Sequence, residues 1–194
     1  MWTKELFGTE KPIIALLHLD PLPGDPDFCG SLDTVIEHAS CDVKALQEGG
    51  VDGVLIANEF SFPMTYVSHT ETLMAMACVI GAIKKDIHVP FGTNVVMNPE
   101  ETIRMAKAVG ASFGRSAFAG AFTGTYGVHV NNFGENVRLK YALGIPEMKL
   151  LCKINPEGDV LLAEQSIEEI IDNVTLGDHV GAFCVSGPGA GQEA

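Results

Sequence analysis

The stretch HVPFGTNVVMNPEETIRMAKAVGASFGRSAF, residues 88–118, decides the fold. Its first part, His88 to Met97, is an apolar run broken only at Thr93–Asn94, the composition of a strand buried on both faces of a parallel sheet. Asn98 is an N-cap residue, Pro99 takes the first helical position, and Glu100 and Glu101 place negative charge in the first turn. Ile103, Ala106, Ala108 and Val109 give that helix an inward stripe, and Gly110 closes it. Ala111 to Phe118 returns as a second apolar strand with Arg115 embedded in it. Parallel strands need such a crossover.

The same unit recurs along the chain. Ile13 to Leu19 reads as the first strand and runs into a Pro- and Gly-rich turn, DPLPGDPDFCG, residues 20–30. Ser31 caps a helix whose apolar residues Leu32, Val35, Ile36, Ala39, Val43 and Leu46 keep helical spacing, and Gly49–Gly50 ends it. Val51 to Ala57 is the second strand and delivers Asn58 and Glu59 at its carboxyl end. Ser68 and Glu71 have capping-box spacing for a helix that ends near Lys84–Lys85. Residues 119–131, AGAFTGTYGVHVN, read as a long loop, functional or mobile. Asn132 and Glu135 cap a helix closed by Gly144, Met148 to Ile154 is a strand, and Ser166 with Glu169 opens a helix with Ile167, Ile170, Ile171 and Val174 inward. His179 to Val185 is the last strand, followed by SGPGAGQEA, in which GPGAG is too weak a signal for a nucleotide loop.

Composition narrows the class. In 194 residues, 46% hydrophobic, the expectation is a single domain spanning 1–194 with a substantial core. A formal net charge of −13 argues against nucleic acid or an anionic membrane surface as partner. Five cysteines, with no CxxC-type spacing, fit reduced thiols in a cytoplasmic setting and point to no metal site. Met1 to Lys11 is polar and carries no secretory signal, and Leu73 to Ile83 is far short of the ~20 residues that span a bilayer, so no membrane insertion is expected.

Strict strand–helix alternation means an open doubly wound sheet or a (β/α)₈ barrel. The turn after the first strand is DPLPG and not a glycine-rich fingerprint, which favours a TIM-type barrel with about six β/α units present. A full barrel takes roughly 250 residues. Six strands leave two unpaired edges, for which a second copy or another partner is the expected cover.

KPIIALLHLDPLPGDP (11–26), LQEGGVDGVLIANEFSFP (46–63), VPFGTNVVMNP (89–99) and FCVSG (183–187) resemble the BtpA family, and within it the SgcQ-type members of bacterial sugar operons. The resemblance runs collinearly along nearly the whole chain. It implies a barrel of the ribulose-phosphate-binding kind, longer than this chain by two units, and one branch of the family implies a role in photosystem I biogenesis. The family pattern has REIFTG where this chain has Arg115 to Gly120, and Asp-Phe-Gly at Thr125 to Gly127. It has Trp-Asp-Thr-Asn at His129 to Asn132, and Trp-Asp-Pro at Met97 to Pro99. Four acidic positions of the family pattern are thus neutral here.

Barrel enzymes place their chemistry at the carboxyl ends of the strands, which selects His18, Asn58, Glu59, Asn94, Arg115, Lys153 and Ser186. Glu59 follows a buried strand, where desolvation raises a carboxyl pKa and suits it to acid–base work; the plain alternative is a carboxylate bonded to loop amides or paired with Arg115. Arg115, inside an apolar strand, is an anion clamp or that same structural partner. His18 is a proton shuttle or a satisfied strand-end histidine. Asn58, Asn94, Asn131 and Asn132 can orient substrate hydroxyls or serve turns and caps, and Asn132 reads as a cap. Lys153 suits a Schiff base if strand alternation turns it inward, and Cys184 reads as core.

Two functions follow. One is an enzyme for a small sugar-like or phosphorylated molecule, or a degenerate descendant of one, with Glu59 and His18 catalytic. Arg115, Asn58, Asn94, Lys153 and Ser186 would bind its substrate, and no cofactor is identifiable. The alternative is a non-catalytic factor for assembly of membrane complexes, or a fragment without a role of its own.

Overall fold

A computed structural model describes residues 1–187. Six parallel strands form one sheet: β1 (Ile14–His18), β2 (Gly53–Ala57), β3 (Phe91–Asn94), β4 (Phe113–Ser116), β7 (Lys149–Lys153) and β9 (Ala182–Cys184). Their order across the sheet is the order in which the parallel strands follow along the chain. A doubly wound sheet reverses direction at a switch point; this one never does, so it curls into a half-barrel. GPGAG, residues 187–191, lies almost wholly outside the described residues.

Four helices cover the outside: α2 (Leu32–Glu48), α3 (Thr70–Ile83), α4 (Pro99–Val109) and α5 (Phe133–Ala142). Their ends follow local chemistry. Ser31 Oγ accepts from Thr34 N at 3.2 Å, Asn98 Oδ1 from Glu101 N at 3.2 Å, and Asn132 Oδ1 from Glu135 N at 3.3 Å. Gly110 ends α4 in the left-handed conformation (φ 79°), and Lys84 Nζ donates to the last free carbonyl there, Val109 O, at 2.6 Å. The α6 helix (Ile167–Thr175) opens with the expected capping box, closed in both directions between Ser166 and Glu169. For α3 the expectation fails: the N-cap is His69, and no side chain caps the helix.

Strand alternation splits the core. Val54, Ile56, Phe91 and Val95 face α2 and α3, while Leu150 and Cys152 face α4 and α5. Leu55, Phe113 and Leu151 point into the barrel. Phe113 is fully buried, worth about 1.5–3 kcal/mol. Its ring fits because Gly92 sits opposite; a Cβ there would come within 2.3 Å of ring atoms.

The polar-looking N-terminus is structural. A helix α1 (Trp2–Phe7) lies across the amino ends of the strands, with Trp2, Leu6 and Phe7 packed on the barrel's inner cluster. Trp2 Nε1 donates to Gly181 O at 2.8 Å, tying the first residues to the last strand. Hydropathy along Met1–Lys11 hides this, because three apolar residues suffice for one short helix.

The larger correction is residues 119–131. They are not a loop but a hairpin, β5 (Gly120–Gly124) and β6 (Gly127–Asn131), joined by β8 (Asp159–Leu161) into an antiparallel sheet ordered β6-β5-β8. Gly and Thr content masked a period-2 pattern: Phe122, His129 and Asn131 face one way, and Val128 and Val130 the other, exposed. This small sheet stands over the carboxyl ends of β4 and β7.

Candidate functional site

Register brings the strand-end residues together. His18 lies beside Ala57 and Ala57 beside Asn94. Gly92 lies beside Phe113, so two residues further along, Asn94 and Arg115 share a level. Leu151 faces inward and Cys152 outward, so alternation turns Lys153 into the barrel.

Above these residues, between the sheet and the hairpin, is a cleft of ≈ 260 Å³. Glu59, Asn94, Arg115 and Lys153 line it from the strand ends, His129, Asn131 and Tyr126 from the hairpin, and Phe62 from the loop after β2. Arg115 Nη2 donates to Asn94 Oδ1 at 3.1 Å, while its buried Nε has no partner among the described residues. Among the described residues no carboxylate lies within ion-pairing distance of Arg115, so the Glu59–Arg115 pair of the plain alternative does not form. Among the described residues Glu59, half-buried, meets neither an ion-pair partner nor a side-chain hydrogen bond, unlike the loop-bonded carboxylate of the plain reading.

Lys153 Nζ holds Glu157 at 2.9 Å. Burial would raise the Glu157 carboxyl, but the hydrogen bond and charge of Lys153 outweigh it and hold the pKa below the usual value. In the cleft wall the Lys153 amine is thus held by a carboxylate. Cys184, one strand over, has its thiol pKa raised by burial despite the nearby charges of Arg115 and Lys153.

Three expected residues stand apart from the cleft lining. His18 packs edge-on against Phe60 at 5.7 Å, and its buried Nε2 has no partner, so it is not the satisfied histidine of the plain reading. Asn58 Oδ1 accepts from Val96 N at 2.8 Å, fastening two loops, and faces a neighbouring hollow of ≈ 200 Å³. Ser186 exchanges backbone bonds with the Asn155 amide at 2.5 and 2.9 Å.

The residue pattern assigned no role to His129, Asp159 or Tyr66. His129 is stacked between Tyr66 (4.4 Å) and Phe122 (5.2 Å). Its Nε2 meets Asp159 Oδ2 at 3.2 Å, and both side chains are more than nine-tenths buried. Its Nδ1 meets Asn131 Nδ2 at 3.1 Å. Tyr66 Oη is buried without a hydrogen-bond partner, and burial, then the charge of Asp159, raises its pKa. Residue spacing could not reveal this group, because it brings together β6, β8 and the loop after β2; only alternation within GVHVN carried a trace of it.

The BtpA family profile matches residues 9–194. The chain belongs to the BtpA family. The sgc region protein SgcQ of Escherichia coli is 44% identical over 192 residues, 98% of this chain and 72% of SgcQ. The photosystem I biogenesis protein BtpA of Synechocystis is 32% identical over 143 residues, 72% of this chain and 50% of that protein. Among solved structures, 7,8-dihydropteroate synthase from Vibrio fischeri has a TM-score of 0.59 at 14% identity, covering 94% of this chain and 64% of the synthase. Dihydrodipicolinate synthase from Agrobacterium tumefaciens has 0.57 at 16%, covering 90% and 54%. At those identities the likeness is one of fold, and it places this BtpA-family chain with the TIM-barrel architecture. No helix among its described residues is long and apolar enough to cross a membrane.

Proposed function

We propose that the cleft binds one small anionic metabolite, sugar-like or phosphorylated, and that the chain is an enzyme using Glu59 for proton transfer. The observation that carries this is Arg115. A guanidinium with a buried, unpartnered Nε and no counter-ion is costly at rest, and an oxyanion is the partner that matches its donors. Asn94, fixed by Arg115, and Lys153 extend the polar wall. Glu59 stands in the same cleft with a free carboxylate, able to take and return a proton. A volume of ≈ 260 Å³ is just under the usual range for drug-sized ligands, which suits a small metabolite.

The test is a thermal-shift screen of phosphorylated sugars and hydroxy acids, followed by proton NMR of any ligand in D₂O. A ligand should raise the transition in the parent and in Glu59→Gln but not in Arg115→Met. Exchange of a carbon-bound proton for deuterium should require Glu59. A hit that is indifferent to Arg115→Met, or exchange as fast in Glu59→Gln as in the parent, overturns the proposal.

A further inference from the structure

We infer that His129 and Asp159 fix Asn131 as a hydrogen-bond acceptor in the cleft, so that the site selects an anion that also carries hydroxyl groups. The inference rests on the anion-binding reading of the same cleft and adds to it the rest of the ligand.

The reasoning follows the protons. A carboxylate only accepts, so the ring nitrogen facing Asp159, Nε2, must carry the hydrogen. The NH₂ end of Asn131 lies 3.1 Å from Nδ1 and can only donate, so Nδ1 presents a lone pair and Nε2 carries the ring's one hydrogen. The amide is therefore held with its nitrogen on the ring, and Oδ1 is the end free for another partner. Tyr66 and Phe122 clamp the ring on both faces, which keeps it from turning over. Asn94 has the opposite assignment: its Oδ1 takes the Arg115 hydrogen, which leaves its NH₂ as a donor.

The cleft thus has a defined polarity. Donors from Arg115 and Asn94 on the strand ends call for anionic oxygens. Acceptors from Glu59 and from Asn131 on the hairpin call for hydroxyl hydrogens. A polyhydroxylated carboxylate or a sugar phosphate satisfies both sets, whereas a bare anion leaves the acceptors without partners, which is how polar sites discriminate. His129 and Asp159 are positioning residues here, acting through Asn131.

The experiment has two independent arms. Imidazole ¹⁵N NMR of the whole protein without ligand should show His129 as the Nε2–H tautomer, and Asp159→Asn should alter that signal. An Nδ1–H tautomer overturns the inference whatever any ligand does. Calorimetry then compares D-glucose 6-phosphate with inorganic phosphate, and D-gluconate with acetate, the two pairs separating a phosphate from a carboxylate source. The hydroxylated member of at least one pair should bind about tenfold tighter, the worth of one or two hydrogen bonds. Asn131→Leu should abolish that ratio. A ratio near one in the parent, or one unchanged in Asn131→Leu, overturns the inference. Loss of inorganic phosphate binding in Arg115→Met with the ratio near one in the parent would leave the anion site standing and the hydroxyl selection refuted. If neither pair binds at all, both readings fall.

Discussion

Arg115 and Asn94 leave neighbouring strands at one level of the barrel and join through a single hydrogen bond, Nη2 to Oδ1, at 3.1 Å. That bond turns the carbonyl end of Asn94 toward the guanidinium and leaves the buried Nε of Arg115 unsatisfied. Folded proteins satisfy most buried donors, and exceptions concentrate where function needs them.

Replacing Arg115 with Met should therefore change function far more than stability. The substitution gives up one hydrogen bond to Asn94 but also removes an orphaned donor and an uncompensated charge. The two effects oppose each other, so the urea midpoint should correspond to a change within about 1 kcal/mol. Protection by inorganic phosphate should vanish in the same samples. A large loss of stability would show instead that Arg115 is a structural residue.

Two glycine substitutions should move stability in opposite directions. At Gly92 an added Cβ would lie 2.3 Å from atoms of the buried Phe113 ring, which has no room to withdraw. Gly92→Ala should cost about 1–3 kcal/mol by overpacking. Gly81, exposed within α3, has nothing within 4 Å of its would-be Cβ. Gly81→Ala should gain about 0.5–1 kcal/mol from helix propensity. Urea unfolding of both variants checks the pair, and equal effects would contradict the packing described for the barrel interior.

These contrasts show what was legible in the sequence. Caps at Ser31, Asn98, Asn132 and Ser166 and the apolar runs of the parallel strands act locally, so each element could be read where it stood. The strands proved shorter than their apolar runs, since Val95 is core but lies past the end of the β3 ladder. The strand-end rule gathered Glu59, Asn94, Arg115 and Lys153 into one cleft. Asn58 gives its Oδ1 to the Val96 N–H and Ser186 bonds the Asn155 amide through its own backbone, and neither is among the residues that line that cleft. What stayed hidden was long-range. The pairing of β5 with β8 joins residues 35 to 39 apart in sequence and that of His129 with Asp159 residues 30 apart, and no local signal encodes either.

The five thiols should separate into two classes. Cys29, Cys41 and Cys78 are exposed. Cys152 is buried, and desolvation lifts its pKa to about 12; Cys184 is also raised by burial. Reaction needs the thiolate, so a chromogenic disulfide reagent at mildly alkaline pH should label the three exposed cysteines promptly and the other two only in denaturant. Rapid labelling of Cys152 in the folded protein would mean that the α4–α5 side of the barrel opens readily.

The last prediction concerns how the hairpin is held down. Tyr66 stacks on His129, and its pKa is raised above 10.0 first by burial and then by the charge of Asp159. A raised phenol pKa means that the folded state binds this proton more tightly than the unfolded chain does. The stability it contributes is fully present below the unfolded value and is lost as the pH climbs through the folded one. The hairpin should thus stay seated at neutral pH and loosen in alkali above that range, before the parallel sheet does. Asp159→Asn removes one of the raising influences and leaves burial in place, so Tyr66 should ionise at lower pH than in the parent. Ultraviolet titration of the tyrosines, with Tyr66→Phe to identify its transition, measures this directly. A Tyr66 transition that stays where it was in Asp159→Asn would show that the Asp159 carboxylate does not face the phenol, and the packing of Tyr66, His129 and Asp159 would need to be redrawn.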